Sequence, residues 1–550
     1  MISDGFPLPR PSSSVWLFLP AIWLGSSSSR RADPRDPASS NQPAWPKDKS
    51  RVGICAESRF STLSLSALQV RFSVLTLVQF SVANMAQDGE SEAQNPETPD
   101  STTTRPAGGT EFSWCKAVPG GTGVAVLGLL LSKPPQIPVL QNALHKLQKS
   151  HPILRSKIHL DTSTNTFHLV TPPNPLVQLQ PFDLQSTSRI VQTQSNGYYP
   201  FHTLLEHEMN SETWRDPVSR DADAFYATTY TISDDRFAVF LRLHTTACDR
   251  SAAVALLNEL LRLVGGDAGD EVSDEKVDLA IEDLIPEGKM NKPFWARGLD
   301  VLGYSLNAFR FSNLSFVDAA SARSSRIVRL QLNADETKNL LAGCKSRGIK
   351  LCGALAAAGM ISAWTSKCLP DYQREKYAVV TLVDCRSILD PVLRSNHAGF
   401  YHSGILNTHD VCEEPVWELA KRSYTAFVNA MNCNKHFTDM SDLNYLMCKA
   451  IENPGLTPSS SLRTALISVF EDPVFEESAD LHEEIGLVDY VGCASAHGVG
   501  PSIAIFDTIR DGKLDCACIY PSPLHSREQI QGLVDHMKRI LVDGCNDENQ

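Results

Sequence analysis

Seven residues, His244-Thr245-Thr246-Ala247-Cys248-Asp249-Arg250, join a strand-like run, Arg236 to Leu243, to an amphipathic helix pattern that opens at Asp249. Imidazole exchanges its proton near neutral pH, so His244 is the first candidate here for a general base, whereas the Thr245 hydroxyl cannot accept a proton in that range. On an extended segment neighbouring side chains point to opposite faces, and whatever Thr245 faces, His244 does not. The plainer reading is structural, with Asp249 as helix cap and ion-pair partner and His244 as a satisfied histidine at a strand end. Five other groups raise the same question. His151-Pro152-Ile153-Leu154-Arg155 belongs to a turn, Asp384-Cys385-Arg386 follows a strand, and His397, His402 and His497 are further imidazoles of the second half. No H-E-x-x-H, Gly-rich phosphate loop or C-x-x-C is present.

The elements that must hold these groups alternate between strand and helix. Thr122 to Leu131 reads as a buried strand, and apolar residues at 139, 140, 143, 144 and 147 form a helical stripe stopped by Pro152. Strand patterns follow at Thr166 to Thr171, Ala224 to Ile232 and Arg236 to Leu243, the last two joined by Ser233-Asp234-Asp235 as a hairpin turn would be. The helix from Asp249 to Val264 repeats apolar residues at 253, 256, 257, 260, 261 and 264 and ends at Gly265-Gly266. In the second half, Ile327 to Leu332, Tyr377 to Val383, Ser502 to Thr508 and Leu514 to Tyr520 read as strands. Ala334 to Lys345, Leu351 to Leu369, Pro415 to Asn432 and a final segment from Ser526 read as helices. Gly498-Val499-Gly500-Pro501 lets the backbone turn before a strand.

The chain has 550 residues and a net charge of −13, which offers no general footprint for nucleic acid. Fourteen cysteines are too dilute for a disulfide scaffold, and Cys516 and Cys518 share a strand face as buried thiols, which points to a reducing, cytoplasmic setting. Val15 to Gly25 is too short to span a bilayer, and residues 1 to 84 read as a leader without structural role or as a plastid transit peptide. Residues 85 to 109 carry almost no large apolar side chains and are expected to lack a packed core.

The turn at 244 to 250 resembles the HHxxxDG signature of nonribosomal peptide synthetase condensation domains, alcohol acetyltransferases, plant BAHD acyltransferases and chloramphenicol acetyltransferase. The helix running into His151-Pro152-Ile153-Leu154-Arg155 resembles that superfamily's H-P-x-L-R turn. Asp384-Cys385-Arg386 resembles its D-x-R, Gly399-Phe400-Tyr401 its G-x-F/Y, and Gly498 to Pro501 the glycine-rich motif of the BAHD members. The resemblance covers residues 111 to about 545 and implies an α/β (α+β) protein of two chloramphenicol acetyltransferase-like lobes, each a mixed sheet covered by helices, around a central tunnel. The boundaries are then 1–109 disordered or leader, 110–285 first lobe, 286–325 connection and 326–545 second lobe. It further implies a plant-type, monomeric acyltransferase, with no metal and no bound cofactor, that moves an acyl group from a thioester of the acyl-CoA type to a hydroxyl or amine of a small molecule. An ion pair between Arg155 and Asp249 would fix the turn, and Asp384, Arg386, His397, His402 and His497 would stand at the tunnel. The chain departs from the signature at two places: Thr245 stands where the general-base histidine belongs, and Arg250 replaces the final glycine. Two readings follow, an acyltransferase whose base is His244, His402 or His497, and a catalytically impaired pseudoenzyme that keeps the tunnel for a ligand or partner.

Overall fold

A computed structural model describes residues 102–194, 198–216, 221–266, 279–308, 310–370, 372–476 and 485–546. In chain order the first half contributes β1 (Thr103–Pro106), β2 (Thr122–Leu131), β3 (Lys157–Asp161), β4 (Thr166–Thr171), β5 (Leu179–Phe182), β6 (Ala222–Asp223), β7 (Phe225–Ser233) and β8 (Arg236–His244). The second half contributes β9 (Ser324–Gln331), β10 (Glu375–Asp384), β11 (His402–Val411), β12 (Arg463–Phe470), β13 (Val474–Glu476), β14 (Leu487–Ala496), β15 (Gly500–Arg510) and β16 (Lys513–Ser522).

These strands form two mixed sheets and a small antiparallel one. The first-lobe sheet has the order β14-β2-β8-β7-β5, and the second-lobe sheet the order β11-β10-β12-β15-β16-β9 with β13 beside β15. The small sheet is β1-β4-β3-β6. Residues of β2 and β8 alternate between two hydrophobic clusters because successive side chains leave a strand on opposite faces. Leu127, Leu129, Val239 and Leu241 pack under the helices Ile137–Ser150 and Arg250–Val264, while Val126, Phe240 and Ala238 pack against Phe201, Leu204 and the second-lobe residues Ile327 and Ala504. The helix Ile137–Ser150 buries Leu140, Ala143, Leu144 and Leu147 on one face, each buried leucine contributing roughly 1.5–3 kcal/mol. The Ala-rich helix Leu351–Thr365 is buried almost all round and forms the centre of the second lobe beneath Val416–Asn432 and Arg527–Asn546. Cys516 and Cys518 are buried in that core, where desolvation pushes both thiols up, Cys518 to about 12.

The structure adds detail at three places along the chain. Order begins before residue 110: β1 pairs with β4, and Arg105 makes a two-pronged ion pair with Glu111 on the helix Gly109–Ala117. An edge strand of sequence TTRP has no apolar alternation, so periodicity could not reveal it. The stretch 286–325 holds a helix, Phe294–Ala308, and the first residues of β9. The second half is not self-contained either, since β14 leaves it to pair antiparallel with β2, with Ala494 opposite Ala125. The readings made for residues 1 to 101 lie outside the described residues. Among the described residues no single helix is long and apolar enough to cross a membrane.

Candidate functional site

Strand β8 ends at His244, a single 3-10 turn covers Thr245–Ala247, and Asp249 caps the helix Arg250–Val264 by accepting from the Ala252 amide at 2.9 Å. His244 points into the first lobe. It is 2% exposed, edge-on to Trp214 with ring centroids 5.5 Å apart, and its Nδ1 accepts from the Thr246 amide at 3.3 Å and lies 2.8 Å from the Thr246 hydroxyl. Burial pushes this imidazole down to about 3, so it stays neutral and weakly basic. Thr245 points the other way, and its hydroxyl donates to the Gly123 carbonyl. Gly123 is at φ +97°, and a Cβ there would fall 2.9 Å from Thr245 Oγ1 and 3.0 Å from the Trp114 ring, so glycine is required. Trp114 in turn packs on Phe400 of the second lobe at 5.2 Å.

Asp249 is where the lobes are joined. Its backbone amide donates to the Gly399 carbonyl at 3.0 Å. Its carboxylate takes both guanidinium nitrogens of Arg386, at 2.9 and 3.0 Å, and the Tyr401 amide at 2.8 Å. His402 Nδ1 lies 3.0 Å from the same carboxylate, close enough for charge contact although not aligned as a good hydrogen bond. Burial opposes the charge on Asp249, but Arg386 and His402 more than offset it and hold the carboxyl well below the usual carboxylate range. The Arg386 guanidinium also reaches Asp384 at 3.1 Å and the His397 carbonyl at 2.9 and 3.2 Å.

The expected pair of Arg155 with Asp249 is therefore corrected. Arg155 donates to the carbonyls of Pro172 and Gln148, at 2.7 and 2.8 Å, and Asp249 is paired with Arg386 instead. Of the remaining candidates, Asp384, Arg386, His397 and His402 gather at this junction, whereas His497 stands apart at the end of β14. There its Nδ1 is 3.0 Å from the Ser325 hydroxyl, and burial, then Arg463 and Arg323, push it down to about 4. The turn at Gly498 to Pro501 is held by the buried guanidinium of Arg463, which donates to the carbonyls of Ala496, Gly498 and Pro501.

Several contributors had no motif to announce them. Arg250 crosses the seam, with Nη1 3.0 Å from Asp507 Oδ1 on β15 and its guanidinium 4.2 Å over the Phe470 ring. Phe470 also packs on His402 and Phe506, at 5.7 and 5.4 Å. Trp114, Phe400, His402, Phe470 and Phe506 thus make a row of rings along the seam. The loss of glycine at 250 was legible, but Asp507, its partner 257 residues later, was not. Among the described residues one group of carboxylates, Asp300, Asp439 and Asp442, could hold a metal ion. Lys292 Nζ fills that place at 2.7, 2.8 and 2.7 Å respectively, an ion-pair lock with Asp439 and Asp442 buried and Asp300 partly exposed.

No family model and no curated protein matches the sequence. The fold has clear likenesses among solved structures. A trichothecene 15-O-acetyltransferase from Fusarium sporotrichioides superposes with a TM-score of 0.59 at 13% identity, covering 83% of this chain and 100% of that one. The cyclization-docking bidomain EpoB from Sorangium cellulosum gives 0.56 at 14% identity over 90% and 95% of the two chains. The polyketide synthase associated protein 5 from Mycobacterium tuberculosis gives 0.54 at 15% identity over 82% and 100%. The chain has the two-lobed α/β fold that these three proteins share.

Proposed function

We propose that this chain is an acyltransferase-like protein that takes an acyl thioester of the acyl-CoA type and a small hydroxyl or amine acceptor at the seam between its lobes and transfers the acyl group. One observation carries the reading: the signature-like turn is assembled at the seam, with Asp249 clamped by Arg386 and by the Tyr401 amide from the opposite lobe. A buried bidentate pair of this kind is geometrically demanding, and it fixes the turn against the second lobe where two substrates would meet. The resemblance of the motifs and the fold of an acetyltransferase support the same class.

A second reading, a ligand-binding pseudoenzyme, is favoured by the chemistry at position 245. A hydroxyl already donated to Gly123 is no base, and a missing base costs about 10² to 10⁴ in rate. The test is thiol release by the purified full-length protein from a panel of acyl-CoA thioesters, with alcohols and amines as acceptors. Transfer product above the uncatalysed rate supports the acyltransferase. Absence of product across the panel, together with thermal stabilisation by a thioester or acceptor, supports the pseudoenzyme.

A further inference from the structure

The seam-facing position of the first-lobe turn carries no imidazole, yet one stands on the other side of the same carboxylate. We propose that His402 is the proton acceptor of the transfer, working through Nε2, with Asp249 as its positioning partner. The assignment rests on the acyl-transfer reading given above.

Four observations carry it. First, His402 opens β11 directly after Gly399-Phe400-Tyr401, the segment that bonds the Asp249 amide and carboxylate, so its ring is fixed to the turn by backbone pairing. Second, its Nδ1 lies 3.0 Å from Asp249 Oδ2, and an ionised carboxylate there favours the tautomer with the proton on Nδ1 and the lone pair on Nε2. Arg386 keeps that carboxylate ionised. Third, Nδ1 is the ring nitrogen that faces Asp249, which leaves Nε2 on the far side of the ring, and the side chain retains 5% of its surface. Fourth, the ring lies between Phe400 and Phe470, at 6.3 and 5.7 Å, in the aromatic row of the seam, where apolar walls exclude water from a reacting pair. The charged groups around it are Asp249 and Arg386, Asp384 as its register partner on β10, and Arg250 stacked on Phe470. His244 and His497 lack these features: both have Nδ1 beside a hydroxyl, and neither touches a carboxylate.

The step balances without a further reagent. Nε2 takes the proton of the acceptor hydroxyl or amine as its oxygen or nitrogen bonds to the thioester carbonyl carbon. The tetrahedral adduct then collapses with cleavage of the C–S bond, and the departing thiolate takes the proton from Nε2. Ester or amide and free thiol are the products, and the imidazole returns to its starting state.

The experiment is the thioester assay on full-length protein with His402→Gln and His402→Ala. The expected results are a fall in kcat of about 10² to 10⁴ with little change in KM, and partial recovery of His402→Ala by added imidazole. The acid limb of the wild-type pH–rate profile should disappear as well. Wild-type turnover that survives within about threefold in His402→Gln overturns the assignment and leaves the transfer reading standing. A wild type without any turnover overturns the transfer reading, and the assignment with it. If both variants fail to fold, the wild-type profile decides: turnover that falls toward acid supports an imidazole acceptor at this position, and a rate independent of pH overturns it.

Discussion

His244 and His402 are both almost fully buried, the first five residues before a signature-like aspartate and the second sixteen residues after the arginine of a D-x-R, and their surroundings have opposite electrostatics. Around His244 only burial acts: Trp214 covers the ring, Thr246 occupies Nδ1, and protonation is suppressed down to about 3. Around His402 an ionised carboxylate lies at Nδ1, so a positive imidazole would have a counter-charge. Distance along a motif therefore says less about basicity than the sign of the nearest charge. A histidine in the motif can be inert while one outside it is equipped to act.

Four measurements test that contrast. The largest effect belongs to the carboxylate. Arg386→Ala leaves Asp249 buried without its main counter-charge and should cost about 3–5 kcal/mol in denaturant unfolding, against about 0–1 for Lys376→Ala in the partly exposed pair with Asp410. Equal losses from the two variants would remove Asp249 as the pivot of the comparison. Next comes Gly123→Ala, which combines a φ of +97° with overlap on Thr245 and Trp114 and should cost roughly 1–3 kcal/mol. A neutral result there would mean that the first-lobe side of the seam is loosely packed.

The third concerns His244 and pH. Its folded pKa, about 3, lies below the ordinary 6.5, so the unfolded chain binds one more proton between those values. Stability from this group is complete above about pH 6.5 and is lost as pH falls through the window, by roughly 1.4 kcal/mol per pH unit. His244→Asn should flatten the acid limb of the stability curve by that slope, with His202, His409, His436, His497 and His525 still contributing theirs. An unchanged limb would show that His244 is not sealed from solvent. The smallest effect is Thr245→Val, which removes one donation to a backbone carbonyl and should cost about 0.5–1.5 kcal/mol in thermal or urea unfolding.

Local features were legible in the sequence where one element's own periodicity decides the outcome. Of the stripe at 139, 140, 143, 144 and 147 the last four are buried while Val139 is left exposed at the first turn, and the Asp249 cap lies where spacing places it. The opposite orientations of His244 and Thr245 follow from strand geometry alone. What the sequence hid is non-local. Arg155 and Arg386 are equally good guanidinium partners on paper, and only the pairing of the 248 to 249 backbone with Gly399 brings the second within reach. His402 likewise gains its carboxylate through contacts across 153 residues of chain, and the polar edge strand β1 forms through pairing with β4.

The placement of β14 also sets the order in which this chain can become whole. Until residues 487 to 496 leave the ribosome, β2 is the rim of the first-lobe sheet, and its TGVAVLGLLL backbone is an unpaired hydrophobic edge open to any extended neighbour. Pairings that close across more than 350 residues are slow to form, so the nascent first lobe passes through most of synthesis with its most aggregation-prone strand uncovered. The demand this chain makes on folding assistance is thus written into the strand that its second half lends to its first.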